Sequence, residues 1–463
     1  MPLSKSPAPP SNTHLTHYKT LGLLLTLYLA QGLPAGFITQ ALPAILREYK
    51  VSLVAIGWSG LILVPWGLKF LWATVVDGYY SQKIGRAKSW ILPMQGLSIV
   101  ILVAVAFFEP HNLAQTRSVM TLYGMLFTLS LIGATHDVAT DGLATRLLKA
   151  AMAPKEPLTH DMPAPDSVTQ TTNHHHRQSQ GNAVQVIGYR LGLIIGGGVL
   201  LMLLEQWGWR NSFLAMAALV AMNTVPIVFF KEHANTSVEL PKKQVQTVKS
   251  GSFKALKNYL SHHYQYFWSS REMLAWLGVL LTYKIADGIS SGMVKPMMVD
   301  VGLNLQQIGF WATILGSAAS VAGAGVATIL MKRLTRFTSL LYFNLAQALT
   351  TGLYGLVAYG FYHQLLTDFL WLYVVNALEH FCASLALIAM LTTIMHYSRP
   401  ANAGSDFTVQ VCLLTVLGGS AHFASGYMAH FLGYQWHFWV SMLIGFVCLL
   451  PIIYWHKLQN NEK

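Results

Sequence analysis

The sequence predicts an all-α polytopic membrane protein with twelve transmembrane helices in two pseudo-symmetric six-helix halves. Three observations predict it. First, 53% of the 463 residues are hydrophobic and only 10% are charged, where soluble domains run near 25% charged. A chain this apolar is excluded from disorder, and its charges are too few to cover a water-facing surface. Second, apolar runs of about 20 residues, enough to cross a hydrocarbon core of about 30 Å, recur twelve times. Third, 22 of the 30 Lys and Arg fall in alternate connections, on one side of the predicted membrane. A net charge of +12 on a soluble protein would suggest nucleic acid. Here it follows the positive-inside rule, and no nucleic-acid partner is expected.

The predicted spans cover 20–43, 54–77, 90–108, 118–147, 183–204, 211–230, 273–297, 307–331, 338–361, 369–396, 406–431 and 436–455. They divide the chain into an N-terminal tail (1–19), a first half (20–230), a basic loop (231–272), a second half (273–456) and a C-terminal tail (457–463). Counting basic residues places both termini in the cytoplasm, and leaves Arg47, Lys50, Arg117, Arg210 and Lys295 on the outer side. The tail runs directly into a full-length span without a small-residue cleavage site, so it does not read as a cleavable signal. The stretch 150–180, rich in Pro, Thr, His and Gln, reads as a disordered cytoplasmic insert.

The halves repeat weakly but in a common order. Leu53-Val54-Ala55-Ile56-Gly57-Trp58 parallels Leu305-Gln306-Gln307-Ile308-Gly309-Phe310, and Gln95 parallels Gln347 at the same offset. Gln31-Gly32 with Gly36 parallels Asp287-Gly288 with Gly292, and Val184-Gln185-Val186 parallels Val409-Gln410-Val411. Two parallel repeats are the pattern of major facilitator transporters.

Ionisable residues inside spans are costly and mark a pathway or a structural pair. Asp137 and Asp141, four apart, share one face of span 4 and follow His136; two carboxylates so placed resist simultaneous ionisation, which suits a proton relay. Span 7 carries Lys284 and Asp287, and span 10 carries Glu379 and His380. Lys69, Arg190 and Lys284 come from three spans and can converge on an anion, with Arg able to grip a carboxylate bidentately. The alternative pairs each cation with Asp137, Glu379 or Asp287, and the sequence leaves both readings open. Gln31, Gln185, Tyr189 and Gln410 are candidate cavity-lining residues. The spacing Gly188, Gly192, Gly196 gives span 5 a smooth face for close helix approach. Pro34, Pro43 and Pro65 are expected to bend spans 1 and 2.

There is no P-loop and no HExxH. The three cysteines, Cys382, Cys412 and Cys448, form no CxxC. His174-His175-His176 sits in the polar insert, where it reads as composition rather than a metal site. No cofactor, metal or enzymatic activity is expected.

Asp77 followed by Gly85-Arg86-Ala87-Lys88 resembles the major facilitator signature between spans 2 and 3, an acid and cations that latch neighbouring helices; the loop is longer here. The run Gln31-Gly32-Leu33-Pro34, Leu42-Pro43-Ala44-Ile45-Leu46-Arg47 and Pro65-Trp66-Gly67-Leu68-Lys69-Phe70-Leu71-Trp72-Ala73 resembles the branch of that superfamily holding muropeptide permeases, acetyl-CoA transporters and siderophore importers. The segments 134–144, 181–192 and 403–410 resemble the siderophore subgroup best, with histidine at His136 where glutamine is expected. The resemblance implies uptake across a bacterial inner membrane by a single chain. It points first to a proton-coupled importer of an anionic siderophore, polycarboxylate siderophores included. The alternative is a permease for muropeptides or another anionic metabolite. In both, Lys69, Arg190 and Lys284 serve the ligand, and Asp137, Asp141, Glu379, Asp287 and His136 serve protons.

Overall fold

The computed structural model describes residues 12–150, 184–232, 265–399 and 403–461. The His-rich part of the 150–180 insert, most of the 231–272 loop, the outermost tails and the side chain of Asp77 lie outside the described residues. Among the described residues the secondary structure is entirely helical. Ten helices are long and apolar enough to cross a membrane: α1 (Tyr18–Glu48), α2 (Leu53–Ala73), α3 (Lys88–Ala106), α4 (Thr116–Leu147), α5 (Val184–Phe229), α6 (Arg271–Asp300), α7 (Leu305–Leu330), α8 (Arg336–Tyr362), α9 (Leu370–His396) and α10 (Asp406–Gln459).

Two of these are too long for one crossing. α5 has 46 residues and α10 has 54, which at 1.5 Å per residue is more than twice the hydrocarbon thickness. Each is broken by one glycine outside helical geometry, Gly208 (φ 74°) and Gly433 (φ 75°), a region that costs other residues a Cβ clash. Contacts at the two ends show that the legs run out and back. Glu205, before the first break, accepts from the Gln306 amide at the start of α7, whereas Glu232, past the end of α5, meets the loop before α3. Tyr434, at the second break, reaches Asp300, and Gln459 returns to Glu272. The ten helices thus accommodate the twelve passes that the sequence predicts. The end where α1 begins is called the near end, and the end of the α1–α2 turn the far end.

Helix starts follow local chemistry. The Ser270, Thr335 and Ser52 side chains accept the N–H three residues on, and Asn304 with Gln307 forms a reciprocal capping box. The prolines act where expected: Pro34 is followed by a π-helical turn, Phe37–Ala41, and Pro65 follows a 3-10 stretch, Ser59–Leu63. The glycine face of α5 lies against α1. A Cβ on Gly192 would stand 2.6 Å from the Gly32 Cα, and one on Gly196 1.9 Å from the Leu33 carbonyl oxygen. Any larger side chain would force the two backbones apart.

The largest buried apolar cluster draws on both halves, including Phe37, Leu42, Ile45 and Phe213 with Met293, Met297, Leu303 and Phe438. The polar links between the halves sit towards the far end. Arg47 Nε donates to Asp300 Oδ1 at 2.6 Å, Trp58 Nε1 to the Tyr427 hydroxyl at 3.0 Å, and Lys295 Nζ to Gln40 Oε1 at 2.5 Å. The Ser59 hydroxyl meets His422 Nε2 at 3.2 Å. Along the α2–α10 seam, Gly57 and Gly60 touch the backbone at Gly426 and Gly419. Deeper links are weaker, as with the Cys412 thiol, 3.5 Å from the Trp66 carbonyl. Among the described residues, the two halves are therefore held together chiefly by their far ends.

Lys295, counted among the outer cations, is only 7% exposed and lies within α6, towards its far end. Apolar neighbours on both sides, Met293-Val294 and Pro296-Met297-Met298, continue the helix through it.

Candidate functional site

The first half gathers its charges on α4. Asp137, 6% exposed, is bonded by both Lys69 Nζ of α2 and Gln31 Nε2 of α1. One turn on, Asp141 Oδ1 accepts from the Tyr28 hydroxyl of α1 at 2.6 Å and from Gln185 Nε2 of α5 at 3.1 Å. Gln185 also meets Tyr28 at 2.5 Å. The i,i+4 spacing thus does what it predicts: both carboxylates face one interhelical space, and four helices meet there. The Lys69 ammonium also stands 5.6 Å from the Trp66 ring centroid. His136 is buried at 4% exposure but turns to its own helix, with Thr140 Oγ1 at 3.5 Å from Nε2. One residue from Asp137 is about 100° around the helix, so adjacency in sequence does not bring the imidazole to the carboxylate.

In the second half, Asp287 Oδ2 accepts from Lys284 Nζ at 2.5 Å, and Oδ1 from Gln347 Nε2 of α8 at 2.6 Å. Glu379 of α9 is flanked by His380, 4.0 Å from its carboxylate, and Gln347 also lies within its hydrogen-bonding reach. His380 itself packs into the notch at Gly316 of α7.

The three cations singled out from sequence have different fates. Lys69 and Lys284 are each tied to a carboxylate, the structural pairing that the spacing had left open. Arg190, on the first leg of α5, makes no ion pair or hydrogen bond among the described residues; its neighbours by electrostatic reach are Tyr189 and, across the seam, His380. Gln410 is corrected as a cavity residue. It is 1% exposed and fully engaged, accepting from Trp276 Nε1 at 2.7 Å and donating to the Asp406 carbonyl at 3.0 Å. Asp406, in turn, takes a bidentate grip from Arg399 at 2.8 and 2.9 Å, and this holds the Arg399 guanidinium above its ordinary pKa.

The latch region gains a second acid. The Asp77 side chain lies outside the described residues, and the carboxylate described at Gly85 and Lys88 is that of Glu232, which the sequence reading passed over. Its carboxylate accepts from the Ala87 and Lys88 amides at the start of α3, at 3.0 and 3.2 Å, and pairs with Arg146 at 3.3 Å. A Cβ on Gly85 would stand 2.5 Å from that carboxylate. An anion at a helix N-terminus is stabilised by its free N–H groups. Lys88 Nζ donates to the Val228 and Phe230 carbonyls, both at 2.9 Å, and Arg86 stacks over Tyr80 at 5.8 Å. The described contacts therefore tie α3, α4 and α5 within one half. Glu232 follows Lys231 directly after a span, and an acid at that boundary was the available signal.

Other participants were missed for want of a pattern. Tyr28 and Gln40 are single polar residues in an apolar run, and Gln347 was visible only as the repeat of Gln95. Lys295 was legible from its flanking apolar residues.

Three further irregularities meet at the seam. The π-helical segments Phe37–Ala41 of α1 and Ile308–Ile314 of α7 both pack on Ile195–Val199 of α5. A Cβ on Gly197 would lie 2.6 Å from Gln40 Cβ and 3.2 Å from Thr313 Cγ2. Such segments widen the helix by one residue per turn and frequently mark functional positions.

Comparison with known proteins agrees with this architecture. The model of the acetyl-coenzyme A transporter 1 family matches residues 20–154. The anhydromuropeptide permease of Escherichia coli strain K12 is 25% identical over 401 residues, covering 85% of this chain and 71% of the permease. Among solved structures, a POT family transporter bound to a thioalcohol-conjugated peptide superposes with a TM-score of 0.66 at 12% identity, covering 94% of this chain and 96% of that one. A D-xylose–proton symporter does so at 0.58 and 14% identity, covering 95% and 97%. These similarities favour the permease and acetyl-CoA transporter side of the resemblance, and lend nothing to the siderophore branch that the sequence put first. The relatives are permeases and transporters rather than enzymes, and this chain is a polytopic membrane transporter with the major facilitator fold.

Proposed function

We propose that this protein is a permease for an anionic metabolite of the anhydromuropeptide type, carried inward across a bacterial inner membrane. The observation that carries the reading is Arg190: a guanidinium on a membrane-spanning helix with no carboxylate partner among the described residues, in a chain similar along most of its length to an anhydromuropeptide permease. A charge on a membrane-spanning helix without a partner is costly, and an anionic substrate supplies the missing one. Lys69 and Lys284 serve as holders of Asp137 and Asp287, with Gln31, Gln185 and Tyr189 shaping the first-half side of the site. Protons are the driving ion in this reading. Asp137 and Asp141, sharing one face of α4, and Glu379 and Asp287, sharing Gln347, are the two carboxylate pairs able to exchange them. The near end, with most of the basic residues, faces the cytoplasm, and the chain works as a monomer.

The test is accumulation of a labelled anhydromuropeptide in an Escherichia coli strain lacking its own permease. The wild-type chain restores uptake, dissipating the proton gradient abolishes it, and Arg190→Gln lowers it at least tenfold at equal membrane abundance, as expected for loss of a charge-assisted contact of about 1.5–3 kcal/mol. Ferric-siderophore uptake, run in parallel, remains at background. Restored siderophore uptake with no muropeptide uptake would reverse the assignment.

A further inference from the structure

Lys295 takes no part in the two carboxylate clusters. It is 7% exposed, in the far-end part of α6, and its hydrogen bond is to Gln40 Oε1 across the seam at 2.5 Å. Among the described residues it has no ion pair; Glu379 is the carboxylate that reaches it electrostatically. Gln40 is set in the π-helical turn of α1, against Gly197 and near Thr313, where the irregular segments of three helices meet. The Lys295–Gln40 bond is therefore a polar link between the halves at the point where helix geometry departs from regularity, alongside the Arg47–Asp300–Tyr434 cluster.

Transporters of this architecture open by rocking one half against the other. Opening the far end carries Gln40 away with α1 and α5, while Lys295 and Glu379 stay together in the second half. The ammonium then loses a neutral partner and faces the entering solution. We propose that Lys295 is an anion-receiving residue of the far-open state, capped by Gln40 when the far end is closed and released to an acid group of the substrate when it opens. This rests on the permease reading above. An anion held there replaces the bond to a neutral amide by an ion pair in which donor and acceptor are both charged, and Gln40 cannot return until that anion moves inward. The substrate thereby binds the far-open state more strongly than the far-closed one, which is the condition for shifting the population between them.

Three measurements on the full-length protein test it. In the uptake assay, Lys295→Gln raises the KM for the labelled anhydromuropeptide at least tenfold with the maximal rate within threefold of wild type, and Lys295→Arg restores most of the affinity. An unchanged KM overturns the proposal. Spin labels at the exposed far-end positions Glu48→Cys and Leu365→Cys, added to a chain whose own cysteines are buried, report the gap between the halves. Gln40→Leu shifts the distances to longer values, and an unchanged distribution overturns the capping role. Finally, pyridoxal 5′-phosphate, an anionic aldehyde, condenses with an accessible amine with loss of water, and borohydride fixes the product. Gln40→Leu raises labelling of Lys295 at least fivefold over wild type while exposed Lys50 is labelled equally in both; no increase overturns the proposal. If the wild-type chain takes up no muropeptide, the permease reading falls, and the last two measurements still decide whether Lys295 is uncapped for anions.

Discussion

The two halves carry charge clusters of similar composition built in opposite ways. In the first, Asp137 is reached from two other helices, by Lys69 and Gln31, and Asp141 from two more positions, Tyr28 and Gln185. In the second, Lys284 and Asp287 are neighbours on one helix, and Gln347 is the cross-helix donor. The Lys69–Asp137 pair has side chains 19% and 8% exposed, and the Lys284–Asp287 pair 24% and 20%. A pair that spans helices ties the bundle together and is sensitive to loss of one member. The second pair lies at a break in α6, where Lys284 (φ −97°, ψ 3°) separates the segments ending at Tyr283 and starting at Ile285, so it links the two sides of that break rather than two helices. The first cluster therefore acts as a clamp on α1, α2, α4 and α5, whereas the second holds the break in α6 and one neighbour, α8.

This comparison can be broken in graded steps. The largest effect is expected at Asp137. Asp137→Asn leaves the Lys69 ammonium buried without its charge partner, a loss of about 3–5 kcal/mol, seen as a large fall in melting temperature in detergent. The double variant Lys69→Met with Asp137→Leu recovers most of that stability without recovering uptake. If the single variant melts like wild type, the clamp is not a clamp. Next is the α1–α5 seam, where Gly196→Ala puts a Cβ against the Leu33 backbone and costs about 1–3 kcal/mol or more, measured as reduced thermal stability. Gly96→Ala, a position with nothing within 4 Å of the added Cβ, leaves it unchanged. Asp287→Asn is milder, about 1–2 kcal/mol, since water reaches Lys284; a loss as large as that at Asp137 would erase the distinction drawn between the halves. Smallest is Glu232→Gln, about 1 kcal/mol from a weakened helix-end contact and the lost Arg146 pair, visible as increased proteolysis of the near-end loop before α3 rather than as a change in overall melting.

Parts of this picture were legible in the residues. The alternation of apolar runs with basic connections anticipates the helices, because a membrane-spanning backbone must satisfy its hydrogen bonds within a helix and excludes charge from its middle. The glycine row of α5 and the prolines of α1 and α2 acted where their chemistry predicts. The i,i+4 placement of Asp137 and Asp141 was read from spacing alone, as was the possible pairing of Lys284 with Asp287. What spacing does not encode is the rotation of one helix about its axis relative to another. That is why Gln410 looked like a cavity residue and proved to be bonded to Trp276 and Asp406, and why His136 faces its own helix rather than the cluster.

By itself, then, the sequence determined the class of protein, the placement of its helices and the short list of charges retained in the membrane at a cost. Those properties follow from local rules, the length of an apolar run and the period of a helix. Only the tertiary structure decided which charges are satisfied: Lys69 and Lys284 are paired, Arg190 has no pair among the described residues, and Lys295 is a buried link across the seam. Pairing is set by distances between residues far apart in the chain, such as the 255 positions separating Gln40 from Lys295, and those distances exist only once the helices have packed.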